Sequence, residues 1–487
     1  MGAWSRKSIE TMKQEAHGGD RPALKRSLGV LNLTDFGVGN TVGAGIFVLT
    51  GTVAAQHAGP AVTLCFLIAS VACFFAGLCY AEFAAMVPVA GSAYSYAYAT
   101  SGEVVAWIIG WSIMLEYLFS ASLVAIGWSG YVTASLADLG IQFPHVLSAA
   151  PFKSDDGLHI VATGTWFDLP AVLITLVCTG LLILGTQQSA IVNSIIVIAK
   201  VAAIIVLVVA CVHYIDPRNW HPFIPPNTGK FGDFGWSGVI QGAGIVFFAY
   251  VGFDGVSTLA EEARNPQRTM PLSLAFSLLI CTALYVAVSL VITGLAGYSE
   301  LNVPDPLYKA LSLAHADLSW LKFLVGVVAI FGLISVILLS LLGQVRIFFA
   351  MGRDGLLPPA LSRCSERFHT PHIGTILTGV LSALVAGFAP LDLLGELISI
   401  GTLMAFAIVC LGILVLRRTQ PDIARPFRTP WVPFVPIASV VVSIALMASL
   451  PGATWLRLVV WMALGIVFYG ARRARARSAV TVTTSGS

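Results

Sequence analysis

The chain has 487 residues, of which 57% are hydrophobic and only 10% charged, with a net charge of +3. Soluble domains carry roughly 25% charged residues. The composition therefore excludes an ordinary soluble enzyme or nucleic-acid-binding domain, and predicts a polytopic protein lying almost wholly in a lipid bilayer.

The first thirty residues are polar and mixed in charge, without the apolar core of a cleavable signal peptide. Twelve apolar runs of roughly bilayer-spanning length follow. They cover 34–57, 61–87, 102–136, 169–185, 189–213, 238–260, 272–297, 320–349, 373–389, 392–416, 434–450 and 453–470. The third and eighth are long enough to tilt or to extend beyond the bilayer. Lys and Arg fall unevenly between the connecting segments. If the N-terminus is cytoplasmic, twenty lie inside, six outside, and Lys200 alone lies within a run. Positive residues favour the cytoplasmic side, so both termini are expected there. The expected organisation is a cytoplasmic segment 1–33, a transport core 34–416, two further helices with their loop over 417–470, and a basic cytoplasmic tail 471–487.

The eight cysteines form no Cys-x-x-Cys pair, and the histidines fall in loops or at run ends. No disulfide framework, metal site or cofactor is expected.

The first run contains Gly37-Val-Gly-Asn-Thr-Val-Gly-Ala-Gly-Ile-Phe47. A membrane helix must satisfy its own backbone, so glycines at 37, 39, 43 and 45 call for an explanation. One is a broken helix whose freed backbone groups hold a polar ligand. The other is close helix packing through small residues. The sixth run carries a second interruption, Phe247-Phe-Ala-Tyr-Val-Gly-Phe-Asp-Gly255. Two interruptions five runs apart are the arrangement expected of inverted five-helix repeats, and they favour the broken-helix reading.

Such a site suits a zwitterion. A carboxylate wants N–H donors at a half-helix N-terminus, which Gly43, Ala44, Gly45 and Ile46 can offer, with the Thr41 hydroxyl beside them. An ammonium group wants carbonyls, which an unwound Val251–Gly252 segment supplies. Phe248 and Phe253 would wall or gate the side chain. Glycine lets a ligand approach the backbone.

Ionisable residues at membrane depth are costly and are functional suspects. Lys200, halfway along the fifth run, is a proton carrier, a built-in substitute for a metal cation, or a permanently paired residue tying two helices. For Glu116 and Asp254, structural pairing and functional coupling remain equal alternatives. Glu82, Asp35 and Glu396 lie nearer the run ends. For Glu82 and Asp35 a solvated or interfacial role is expected.

Gly43-Ala-Gly-Ile-Phe with Leu49-Thr-Gly, and Phe247-Phe-Ala-Tyr-Val-Gly-Phe-Asp, resemble the amino acid–polyamine–organocation (APC) superfamily. Glu261-Glu-Ala-Arg-Asn-Pro-Gln-Arg and Met351-Gly-Arg-Asp-Gly-Leu-Leu-Pro narrow the likeness to the cationic amino acid transporter family and its bacterial homologues. The resemblance implies an all-α, leucine-transporter-like fold with 12 transmembrane helices. Spans 1–5 and 6–10 would be inverted repeats, with helices 1 and 6 broken. It also implies alternating access and sodium-independent amino acid transport across a bacterial plasma membrane. Lys200 matches a span-five lysine that stands where sodium-coupled cousins bind an ion, and its implied role is proton coupling. Glu116 and Asp254 match acidic positions of the same polar network. Ala44 departs from the common Ser or Thr, removing one hydroxyl from the carboxylate site. Heteromeric relatives use a cysteine in the loop after span three. Residues 138–168 contain none, so no disulfide-linked ancillary subunit is expected.

The expected function is proton-coupled uptake of neutral L-amino acids with broad specificity. The alternative is a proton-independent exchanger or facilitator. A membrane enzyme lacks a catalytic cluster, and a channel lacks a ring of pore charges.

Overall fold

The computed structural model describes residues 28–86, 92–154, 160–184, 190–314, 318–365 and 370–484. The expected N-terminal segment thus lies almost entirely outside the described residues. Among the described residues the structure is helical apart from one antiparallel hairpin, Phe152–Ser154 with Ile160–Ala162. Among the described residues, eight helical stretches are long and apolar enough to cross a membrane, and three shorter apolar helices accompany them: Leu169–Ile183, His372–Phe388 and Phe434–Ser449. The chain is therefore a polytopic helical membrane protein. The longest stretch, Val30–Met86, holds the first two expected runs, which meet at Gly59 with φ +58°. The third and eighth runs are indeed long, as the helices Glu103–Asp138 and Ser319–Arg353. The last helix, Gly452–Thr484, continues through the expected tail.

Burial ranks these stretches from centre to rim. In Gly235–Ser257, 94% of the most apolar window is buried, against 22% in Gly452–Arg473. The interrupted sixth run is thus the axis of the molecule. The final helix is a peripheral element held by tryptophans. Trp111 Nε1 donates to Trp461 O at 2.8 Å, Trp461 Nε1 returns the bond to Trp111 O at 3.0 Å, and Trp107 Nε1 reaches Gly465 O. Apolar side chains such as Leu173, Val177, Ile198, Val209, Leu279 and Val467 remain exposed on the outside. In a bilayer that exposure costs nothing, because lipid is as apolar as they are.

Both expected interruptions are present. The first helix, Val30–Thr41, ends where Val42 turns extended (φ −74°, ψ 92°). Helix resumes as a wide π turn over Gly45–Leu49. In the sixth run, Gly235–Val246 tightens into a 3-10 turn at Phe247–Tyr250. Val251 is extended (φ −59°, ψ 134°) and Gly252 has φ +107°, a conformation that L side chains rarely adopt. The chain then winds as a ten-residue 3-10 helix, Phe253–Glu262. Its C-terminal end is tied to the start of the first helix, where Arg264 N donates to Leu28 O at 3.0 Å.

One carboxylate near a run end turns out differently from expectation. Glu82 is fully buried, not interfacial. It pairs with Arg417 at 2.8 Å and Arg425 at 3.5 Å, and accepts from Thr429 N at 2.8 Å. The arginines lie past the tenth run, so only the fold brings them to Glu82. Glu396 accepts from Thr454 and pairs with Arg457 at 3.7 Å, docking the last helix. At the other face Asp168 caps the Leu169–Ile183 helix. Its Oδ1 accepts from Ala171 N at 3.0 Å and Ser129 Oγ at 2.6 Å. Burial pushes its carboxyl up to about 6, against the opposing pull of those two bonds.

Candidate functional site

The two interruptions face each other. A Cβ on Gly45 would collide with the backbone of Ala249, so the glycine is what lets the broken helices touch. Beside this contact lies a narrow cavity of about 20 Å³, little more than a single water molecule needs. Its walls come from the first break (Asn40, Thr41, Gly43, Ala44, Gly45), from the second (Phe248, Val251, Gly252), from Tyr117 and Ser120 on Glu103–Asp138, and from Val336 and Ser340 on Ser319–Arg353. Seven of the nine residues expected to bind substrate line it. Ile46 and Phe253 do not. Phe253 is fully buried and packs edge-on against Tyr80 and Phe406.

The electrostatics of the first break follow from helix termini. Gly43 O accepts from Ile46 N and Phe47 N, both at 3.2 Å, so the resumed helix starts at Gly43. The first N–H groups of a helix have no partner within it. Those of Gly43, Ala44 and Gly45 belong to wall residues and carry the positive end of the helix dipole. Next to them Thr41 Oγ1 is buried without a hydrogen-bond partner. Native structures seldom leave a buried hydroxyl unpaired, so this one calls for an explanation, and a group bound at the cavity wall would supply it.

The carbonyls freed by the breaks are largely claimed by side chains. Lys200 Nζ donates to Gly39 O at 2.8 Å and Val42 O at 3.0 Å. The Tyr285 hydroxyl lies 2.8 Å from Thr41 O and 2.7 Å from Ala249 O, and shares its single proton between the two breaks. Asn40 Nδ2 donates to Gly252 O at 2.8 Å. Tyr131 donates to Phe47 O at 2.8 Å. Ser399 accepts from Phe248 N at 3.2 Å and donates to Ile245 O at 2.9 Å. The expected ammonium acceptor at Gly252 is therefore already bonded.

A model of the amino acid permease family matches residues 28–469. The chain belongs to this family, within the APC superfamily. A methylthioribose transporter of Bacillus subtilis is 43% identical over 464 residues, covering 95% of this chain and 96% of the relative. The branched-chain amino acid permease BcaP of the same bacterium is 42% identical over 465 residues, with 95% and 96% covered. A vacuolar cationic amino acid transporter of Arabidopsis thaliana is 38% identical over 417 residues, covering 86% of this chain and 63% of the relative.

In this permease none of the three ionisable residues expected to couple protons lines the cavity. Lys200 is fully buried behind the first break. Asp35, on the first helix, is engaged elsewhere and accepts from Ser194 Oγ at 2.5 Å. Glu116 is buried and accepts from Thr402 Oγ1 at 2.8 Å. It interacts electrostatically with Asp254, also buried. The residue after Glu116, Tyr117, does reach the cavity wall. Sequence reading missed Asn40, Tyr117, Ser120, Val336 and Ser340 as wall residues. Asn40 had a usable signal, an amide inside the glycine-rich interruption. The others carry none, because a serine, valine or tyrosine in a long apolar run is unremarkable.

Proposed function

We propose that this permease is a secondary active transporter that takes up neutral L-amino acids by sodium-independent, proton-coupled alternating access. Twelve crossings are proposed, ten of them in two inverted repeats over 34–416, with two accessory helices over 417–470. Both termini lie in the cytoplasm by the Lys and Arg bias, and the membrane is a bacterial plasma membrane. No ancillary chain is invoked.

The observation that carries this reading is the unpartnered, buried Thr41 hydroxyl beside the N–H groups of Gly43–Gly45, on the wall of a cavity shared by both breaks. That set of donors suits a carboxylate. Neutral side chains are favoured because no wall residue is charged. A lysine or arginine side chain would leave its charge unpaired there, which is expensive. The cavity is narrow, so substrate entry requires the walls to part, as an alternating mechanism supplies. Lys200 supports proton coupling: it places a titratable cation on the carbonyls of the first break.

The named substrates of the two Bacillus relatives differ, so identity alone does not select one. Uptake into proteoliposomes, with leucine, alanine, lysine and methylthioribose, with and without an imposed proton gradient, tests the proposal. Gradient-driven uptake of the neutral amino acids is expected. Uptake indifferent to the gradient favours the exchanger or facilitator. Preference for lysine or methylthioribose refutes the substrate class.

A further inference from the structure

Asn40 occupies an unusual position between the two breaks. It lies in the last turn of the Val30–Thr41 helix, next to the unpartnered Thr41 hydroxyl, and is only partly buried. Its Nδ2 reaches across to Gly252 O. A Cβ on Gly252 or Gly255 would stand 2.8 Å from that nitrogen, so the two glycines are the space in which the amide sits.

The chemistry of the amide fixes its orientation. Only the nitrogen can donate to Gly252 O, and a flipped group would set two oxygens against each other. The oxygen and nitrogen diverge from Cγ by about 120°, so Oδ1 is directed away from that carbonyl while Asn40 forms part of the cavity wall. An α-amino acid brings an ammonium group with three donors. The carbonyls of Gly39, Thr41, Val42, Ala249 and Gly252 already accept from Lys200, Tyr285 and Asn40 itself. Asn40 is thus a residue of the cavity wall that carries an uncharged acceptor, next in sequence to Thr41.

We propose that Asn40 binds the ammonium group of the substrate through Oδ1 while its Nδ2 holds the break at Gly252. This rests on the substrate site assigned above and adds to it a reader for the amine. The same side chain then links occupancy of the cavity to the geometry of the second interruption, through one planar group that cannot turn at one end without turning at the other. The ligand class it selects is the primary α-amine, against an α-hydroxy acid of the same shape.

The test uses the full-length protein in detergent and measures thermal stabilisation by L-leucine and by L-2-hydroxy-4-methylpentanoate, which replaces the amine with a hydroxyl. The parent should favour leucine. Asn40→Ala and Asn40→Ser should lose leucine affinity by about 10- to 100-fold, the range of one charge-assisted hydrogen bond. Their affinity for the hydroxy acid should change little, so the preference collapses. Asn40→Asp keeps the oxygen and loses the donor, so it should still bind leucine but transport it with a lowered kcat. Equal weakening of both ligands in Asn40→Ser, or no weakening of either, overturns the proposal. If Asn40→Ala does not fold, the ligand ratio in Asn40→Ser decides alone. A parent that prefers methylthioribose to every amino acid overturns the substrate reading as well, which separates the two failures.

Discussion

Lys200 Nζ stands 2.8 Å from the carbonyl oxygen of Gly39, and this places the lysine inside the first helix break rather than in a conventional ion pair. With Val42 O at 3.0 Å it caps the end of a half-helix, where the dipole favours a cation. An ammonium group has three donors and a charge. The neutral amine has two and none, so deprotonation loosens the hold on the break. In proteoliposomes Lys200→Met is expected to transport without responding to a proton gradient, and to melt earlier by the worth of the lost bonds, about 1.5–3 kcal/mol each. A gradient response that survives in Lys200→Met rules out the coupling role. Gly332 gives an independent handle. A Cβ there would lie 2.6 Å from Lys200 Cδ. Gly332→Ala should displace the lysine and reproduce the phenotype with the charge intact, and the double variant should be no worse than Lys200→Met.

The glycines of the first break separate by what their missing side chains would meet. At Gly45 a Cβ strikes the Ala249 backbone, which cannot yield. Gly45→Val is therefore expected to lower the yield of folded protein. The sequence alone suggests something milder, a filled carboxylate site in a well-expressed variant. At Gly43 the nearest atoms are the Val336 methyls, at 3.1 and 3.2 Å, and a rotamer change relieves that contact. Gly43→Ala should fold, and should bind amino acids more weakly because the new methyl lies on the cavity wall. Size-exclusion yield and ligand-induced thermal shifts measure both outcomes. A folded Gly45→Val with normal binding would remove the assigned role of that contact.

Asp168 predicts a pH effect on stability with a definite sign. Its folded carboxyl titrates near 6, above the ordinary 3.8, because burial outweighs its two hydrogen bonds. The folded protein thus holds a proton that the unfolded chain has released. Stability from this group falls as pH rises from about 4 to about 6 and is fully lost above that, by an amount on the order of 2–3 kcal/mol. Asp168→Asn keeps the capping oxygen and removes the titration. Its melting temperature relative to the parent should climb across that interval and then level off. A constant difference would show that Asp168 does not titrate there.

Cys364 reports orientation. It is exposed, whereas the other seven cysteines are buried. The proposed topology puts its loop in the cytoplasm. A membrane-impermeant maleimide should leave intact cells unlabelled and react with inverted vesicles. Labelling of intact cells would reverse the assignment.

What was legible in the sequence was whatever leaves a local mark. Glycines 43, 45 and 252 betrayed both interruptions, and Lys200 stood out because a charge at depth is rare. Close packing, the other explanation of the first run's glycines, applies at Gly37 and Gly39, where added Cβ atoms would strike Ser277 and Val197. The groups that satisfy the breaks were not legible. Tyr285 lies 244 residues from Thr41, and Ser399 lies 151 from Phe248. Nothing near either residue announces a partner so far along the chain. Phe253 was misjudged for a related reason: a phenylalanine beside a break can face the ligand or the core, and only the positions of Tyr80 and Phe406 decide between them.

The chain at the second half of the sixth run is wound more tightly than an α-helix over ten residues, from Phe253 to Glu262. Runs of this kind seldom exceed three or four residues. A 3-10 helix rises about 2.0 Å per residue and an α-helix about 1.5 Å, so rewinding this segment would shorten it by about 5 Å. The same conversion changes the step from about 120° to about 100° per residue, swinging one end by about half a turn relative to the other. With Gly252 clamped by Asn40 at the upper end and Arg264 bonded to Leu28 at the lower, that screw motion would be delivered to the first helix. The segment thus has the form of a mechanical actuator: a stretched coil, anchored at both ends, whose stroke matches one turn of helix.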